Sequence, residues 1–181
     1  MAIARPEEIF LFWKDAGPDK WFVSDPAFDE QIRARFLETY EAGMREELSH
    51  WERSAYGSFA LVLLFDQFPR NIFRGTPKAF ASDEKAKRIA ERAIAADRDK
   101  AVDPDVHTFF YMPFMHSEAL ADQERCVALM IQSGKQENIK YAEIHRDAIA
   151  RFGRFPHRNE ILGRCSTPEE IAYLKGGGFA G

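Results

Sequence analysis

Along most of the chain the apolar residues recur at intervals of three and four, the spacing that lines one face of an α-helix. Turn residues cut this pattern into segments of about 10 to 25 residues. Pro6, Glu7 and Glu8 open the first segment, since proline loses no needed N–H there and the acids face the positive end of the helix dipole; Gly17-Pro18 stops it. A long amphipathic helix is predicted from Ser24-Asp25-Pro26, with Phe28, Ile32, Phe36, Tyr40 and Met44 on one face, ending near Ser49. The stretch SAYGSFALVLLF, Ser54 to Phe65, is apolar on nearly every side and reads as a central helix, with a buried strand as the alternative. Ser82 is expected to cap a charged surface helix over Ile89, Ala93 and Ala96. Ser117 is expected to cap one over Leu120, Val127, Met130 and Ile131 that Gly134 closes. Gln136 to Phe152 forms the next. Thr167-Pro168-Glu169-Glu170 is a capping box, and Gly176-Gly177-Gly178 ends the helix it opens.

No alternation long enough for a sheet is present. The pattern therefore predicts an all-α chain, a single domain over residues 1–181 built as a bundle of antiparallel helix hairpins, with a flexible glycine-rich tail from about 176. Composition agrees: 181 residues, 45% hydrophobic and 30% charged, fit a globular protein and exclude disorder, collagen and a rod. No run of about 18 apolar residues predicts a membrane span, and the acidic start argues against a secretory signal. Cys126 and Cys165 lack zinc-type or CxxC spacing, so a cytoplasmic protein without a disulfide framework or structural metal is expected.

Compared with itself, the chain shows one echo. Phe65-Asp66-Gln67-Phe68-Pro69-Arg70-Asn71 returns as Phe152-Gly153-Arg154-Phe155-Pro156-His157-Arg158-Asn159, and Gly75-Thr76-Pro77 returns as Gly163 followed by Thr167-Pro168. Each copy places two aromatics about a turn apart at a helix end, where proline should force the preceding residue out of the α region, with Arg-Asn on the exit. The echo is either a shared helix-corner solution or a duplicated site. The strings FDQFPRNIFRGTPKAFASDEKA, FFYMPFMHSEALADQE and HRDAIARFGRFPHRNEILGRCSTPEE, with the tryptophans near the start, are similar to those of the bacterial family catalogued as domain of unknown function 924. That resemblance covers nearly the whole chain. It implies an all-helical fold like a tetratricopeptide superhelix and no established reaction, and no 34-residue repeat consensus accompanies it.

Charge narrows the candidate chemistry. With 25 basic and 29 acidic residues the chain carries a net −4, yet His145 to Arg164 holds five arginines against two acids. Arginine suits phosphate or carboxylate, so the sharpest expectation is a groove binding a small anion or a peptide carboxylate, lined by Asp66, Gln67, Arg70, Asn71, His116, Glu118, Arg151, Arg154, His157, Arg158 and Asn159. The bland counterpart pairs these arginines with acids at helix ends. A second expectation is a hydrolase or lyase using His116 or His145 as base, with Glu118 or Asp66 orienting it. A third is a structural or assembly protein whose motif residues pair with one another. His145 should be partly buried and hydrogen-bonded. Asp66, at the end of its predicted helix, should need a cation. No cofactor or metal is indicated: GxGxxG, Walker and GxSxG motifs are absent, and no HxxxH or ExxH pair fixes two ligands. An acidic chain without a basic aromatic stripe predicts no nucleic-acid partner, whereas a homo-oligomer is compatible with the sequence.

Overall fold

The computed structural model describes residues 3–180; Met1, Ala2 and Gly181, the ends of the expected 1–181 domain, lie outside the described residues. Those residues form α-helices and short 3₁₀ and π turns, with no strand among them. They fall into two compact units, one of residues 3–74 and 78–113, the other of 75–77 and 114–180.

In the first unit α1 (Pro6–Ala16) and the single turn α2 (Pro18–Trp21) lead into α3 (Pro26–Met44). Asp25 starts α3 by accepting hydrogen bonds from the Ala27 and Phe28 N–H groups. Phe28, Ile32, Phe36 and Tyr40 are buried as their spacing predicts, but α3 stops at Met44, short of the expected Ser49, and Met44 itself is exposed. α4 (Ala55–Val62) is the central helix; Phe59, Ala60, Val62, Leu63, Leu64 and Phe65 have no solvent contact. α1 packs on it, and so does α6 (Asp83–Ala95), while α3 packs on α5 (Phe68–Ile72). Fully burying each large apolar side chain contributes about 1.5–3 kcal/mol, so this segment is a major source of the unit's stability. The thin stripe on α6 is wider than expected, since Ala86 and Ala90 join Ile89 and Ala93 in the buried face.

One expectation fails at Pro69. The helix does not end before it: Phe68 keeps helical angles, and Leu63–Gln67 winds as a π turn in which the Phe68 N–H reaches back five residues to the Leu63 carbonyl. Pro69 has no N–H for the Phe65 carbonyl four residues back. Ser82 supplies the donor instead, its hydroxyl 2.7 Å from the Phe65 oxygen. That is why Ser82 sits at the start of α6 without capping it through its side chain.

The chain enters the second unit along the short α7 (Met112–Met115). There α8 (Leu120–Ser133) and α9 (Gln136–Phe152) pack together as a hairpin around Gly134. Gly134 adopts φ +72°, a left-handed conformation that costs glycine little. Cys126, Val127 and Met130 point inward, whereas Leu120 and Ile131 are exposed. Ser117 lies two residues before the N-cap, Ala119; its hydroxyl donates to Asp122 and accepts from the Ala119 N–H. α10 (Pro168–Lys175) begins in the predicted capping box, with the Thr167 hydroxyl accepting from the Glu170 N–H and the Glu170 carboxylate accepting from the Thr167 N–H.

Candidate functional site

Asp66, Gln67, Arg70 and Asn71 belong to the first unit, whereas His116, Glu118, His145, Arg151, Arg154, His157, Arg158 and Asn159 belong to the second.

In the first unit the continued helix puts Arg70 one turn beyond Asp66, on the same face. Its guanidinium lies 3.7 Å from a carboxylate oxygen of the fully buried Asp66 and grips Asp83 with two hydrogen bonds, 2.9 and 3.1 Å. The side chain of Gln67 donates to Asp66. The cation that Asp66 needs therefore includes one from its own helix. Asn71 donates to Asp29 at 2.8 Å, and Arg74 holds the same carboxylate with two more hydrogen bonds. Burial pushes the Asp29 carboxyl up, but the Arg74 and Asn71 hydrogen bonds outweigh it and hold the group below its ordinary value.

In the second unit α9 ends at Gly153, in the left-handed region at φ +69°. The chain then turns through Phe155 into a short 3₁₀ turn, Pro156–Arg158. Arg154 takes both oxygens of Glu170, at 2.7 and 2.9 Å, and donates to the Cys165 carbonyl. Asn159 donates to Glu170 at 3.2 Å and accepts from Arg164. The Arg154 hydrogen bonds and the Thr167 N–H hold Glu170 down to about 2. Arg151 pairs with Glu169 on an exposed surface, a contact of small energetic weight. Glu118 accepts the Phe155 N–H and a two-pronged contact from Arg164, which outweigh its desolvation and keep it ionised below its usual range. It ties the corner to Arg164.

The three histidines gather around two phenylalanines. The His145 ring lies 6.4 Å from that of His116, 5.7 Å from Phe155 and 4.1 Å from Phe179, and the His157 ring 5.5 Å from Phe155 and 5.0 Å from Phe179. The Arg158 guanidinium, on a buried side chain, sits 4.6 Å above Phe155. His145 is buried as its spacing predicts, and its partner is the Tyr141 carbonyl, 2.7 Å from Nδ1. A carbonyl only accepts, so Nδ1 carries the proton and Nε2 presents a lone pair. Burial, followed by the neighbouring His116, pushes His145 down to about 3; burial, followed by Arg158, pushes His157 down to about 4. Both imidazoles are therefore neutral at pH 7. The Nδ1 of His157 is buried and has no hydrogen-bond partner among the described residues. Such an orphan costs about 1–3 kcal/mol unless a partner is supplied.

Sequence reasoning missed Asp29 and Asp83, counted Arg164 only within the arginine-rich stretch, and read Glu170 only as a cap. The echo marks the Arg and Asn donors, but the carboxylates they reach lie outside it. Phe179 was hidden inside a tail read as flexible, although an aromatic after three glycines was a visible signal. Among the described residues no cluster of three His, Cys, Asp or Glu side chains is arranged to hold a metal ion, and no helix is long and apolar enough to cross a membrane.

No curated protein matches the chain. A solved structure of a protein of unknown function from Agrobacterium tumefaciens matches it with a TM-score of 0.91 at 48% identity, covering 94% of this chain and 97% of that one. The model of a family described as bacterial protein of unknown function, DUF924, matches residues 9–178. A match of that extent, consistent with the helical fold and the residues resembling the family, means that the chain belongs to DUF924.

Proposed function

We propose that the protein binds a small anion, phosphate or carboxylate, at the imidazole cluster of its second unit, and that it works in the cytoplasm. The observation that carries the reading is the buried Nδ1 of His157 without a hydrogen-bond partner among the described residues. In the tautomer with its proton on Nδ1, an anionic oxygen would accept that proton, and the positive charge of Arg158, which depresses the His157 pKa, would attract the anion. A peptide carboxylate offers the same oxygens. Free thiols at Cys126 and Cys165 support a reducing compartment. The α8–α9 hairpin is the kind of unit from which tetratricopeptide-like superhelices are stacked, and it supports that finer description of the fold. Among the second unit's groove residues, Arg154 and Asn159 would act as the frame, because both already hold the Glu170 carboxylate.

The test is an NMR titration of the histidine side chains with inorganic phosphate and with acetate, at constant ionic strength. Saturable shifts of His145 and His157 that vanish in His157→Phe are expected; shifts no larger than those produced by chloride overturn the reading. A second reading, a structural or assembly protein, is favoured by the internal pairing of the corner arginines, and it expects no saturable response. Catalysis by His145 with an orienting acid has less support, because its Nδ1 faces a carbonyl and the oxygens of Glu118 hold Arg164 and the Phe155 N–H.

A further inference from the structure

The first unit contains a cleft of about 560 Å³ that no motif marks, between α1 and the start of α3. Leu11, Phe12 and Asp15 line it from α1, and Phe28, Gln31 and Arg35 from α3. Asp15 follows Leu11 and Phe12 by four and three residues, and Phe28, Gln31 and Arg35 are spaced by three and four, so each helix offers the cleft one face. The floor is aromatic: the Phe12 and Phe28 rings stack 5.5 Å apart with 6° between their planes. Leu11, beside them, is 52% exposed.

Polar groups on the walls divide into those that are spent and those that are not. Lys20 pairs with Asp25, and Glu8 accepts the Arg5 N–H in the cap of α1. Arg35 differs. Its guanidinium lies 4.6 Å above Phe12 and 5.3 Å above Phe36 and its charge acts on the Glu8 carboxylate across the cleft, but it makes no hydrogen bond or close ion pair among the described residues. Gln31, one turn before it on the same face of α3, likewise makes no hydrogen bond among the described residues. A guanidinium anchored over an aromatic ring can still offer its fork of N–H donors, which receives a carboxylate through two hydrogen bonds.

We propose that this cleft binds a small amphipathic monocarboxylate, its carboxylate on Arg35 and Gln31 and its apolar body on Phe12, Phe28 and Leu11. The volume falls within the range of small-molecule sites. The rim selects the charge. Glu8, Asp15 and Asp25 line the same cleft and Lys20 is paired with Asp25, so a ligand's first negative charge can share Arg35 with Glu8, whereas a second would find only carboxylates. This site and the imidazole cluster stand on different residues, and either can fail without the other.

The experiment is a ¹H–¹⁵N titration of the full chain with 3-phenylpropionate, with its neutral amide 3-phenylpropanamide, and with inorganic phosphate. Shifts centred on Leu11, Phe12, Phe28 and Gln31 are expected with the acid. Affinity should fall about tenfold for the amide and in Arg35→Met, the loss expected of a charge-assisted contact. Arg35 is exposed, so the variant should keep its fold, which its own spectrum verifies. Equal binding of acid and amide, undiminished binding by Arg35→Met, shifts centred elsewhere, or phosphate matching the acid would each overturn the proposal.

Discussion

The corner after α4 and the corner after α9 share nearly the same residues but have different backbones. In the first, Asp66 follows Phe65, and the helix runs on through Phe68-Pro69 by way of a π turn. In the second, Gly153 follows Phe152, and the helix stops in a left-handed cap. What the copies share is the use of their donors. The matched asparagines, Asn71 and Asn159, each donate to a carboxylate that a guanidinium also holds, Asp29 with Arg74 from just beyond the echo and Glu170 with Arg154 from the position of Gln67. The echo thus specifies a way of locking a corner, and the residue after the first phenylalanine decides whether the helix passes through it. The second corner adds what the first lacks, a wall of imidazoles.

The largest expected effect comes from removing, at each corner, an arginine that holds a carboxylate: Arg70 in the first, and in the second Arg154, which stands where the first copy has Gln67. Arg70→Met strips the guanidinium from the buried Asp66 and from Asp83, and breaking a buried pair in this way costs about 3 kcal/mol or more. Arg154→Met takes a more exposed guanidinium from Glu170, which keeps the Asn159 and Thr167 donors. Urea denaturation should therefore show a distinctly larger loss for Arg70→Met. The reverse order would mean that the second corner, not the first, carries the more tightly coupled charge.

Acid should separate the corners next. His145 and His157 titrate near 3 and 4 in the folded chain against 6.5 when unfolded, so the unfolded state binds protons first. The stability at stake is fully present above pH 6.5 and is lost as pH falls toward 4 and then 3. Glu170, held at about 2 against 4.5, adds a loss below pH 4.5. In the first corner Asp29 lies below its ordinary 3.8, so its contribution is lost only under more acidic conditions. Amide exchange at about pH 5.5 should show weakened protection in α9 with protection of α4 maintained. Equal weakening in both would remove the histidines as its cause.

These differences mark how far the sequence could be read. The helical spacing gave α1, α3, α8, α9 and α10 to within a few residues, because each buries one face and carries its own start or stop signal: Pro6, Asp25, Gly134, Gly153 and the Thr167 box. The π turn was not legible. Pro69 is normally a helix breaker, and its tolerance depends on Ser82, a residue thirteen positions away whose hydroxyl reaches the Phe65 carbonyl. The candidate site was half legible for a similar reason. Histidine and arginine announced donors, but Asp29, Asp83 and Arg164 complete the pairs only through tertiary packing. The cleft beneath Arg35 carries no motif, since an aromatic floor and an unspent guanidinium are ordinary residues until two helices face each other.

The smallest effect tests the residue that makes the two corners differ. Gly153 adopts φ +69°, and a Cβ built there would meet no atom within 4 Å. Gly153→Ala should therefore cost only backbone conformational energy, about 1 kcal/mol. Gly153→Asn should recover part of it, because asparagine tolerates the left-handed region. Differential scanning calorimetry of both variants would read this as a modest fall in Tm for alanine and a lesser one for asparagine. A neutral alanine would show that α9 can continue past Gly153 as α4 continues past Asp66. The stop would then be imposed by Glu118 and Arg164 gripping Phe155, whose N–H and carbonyl they already bind.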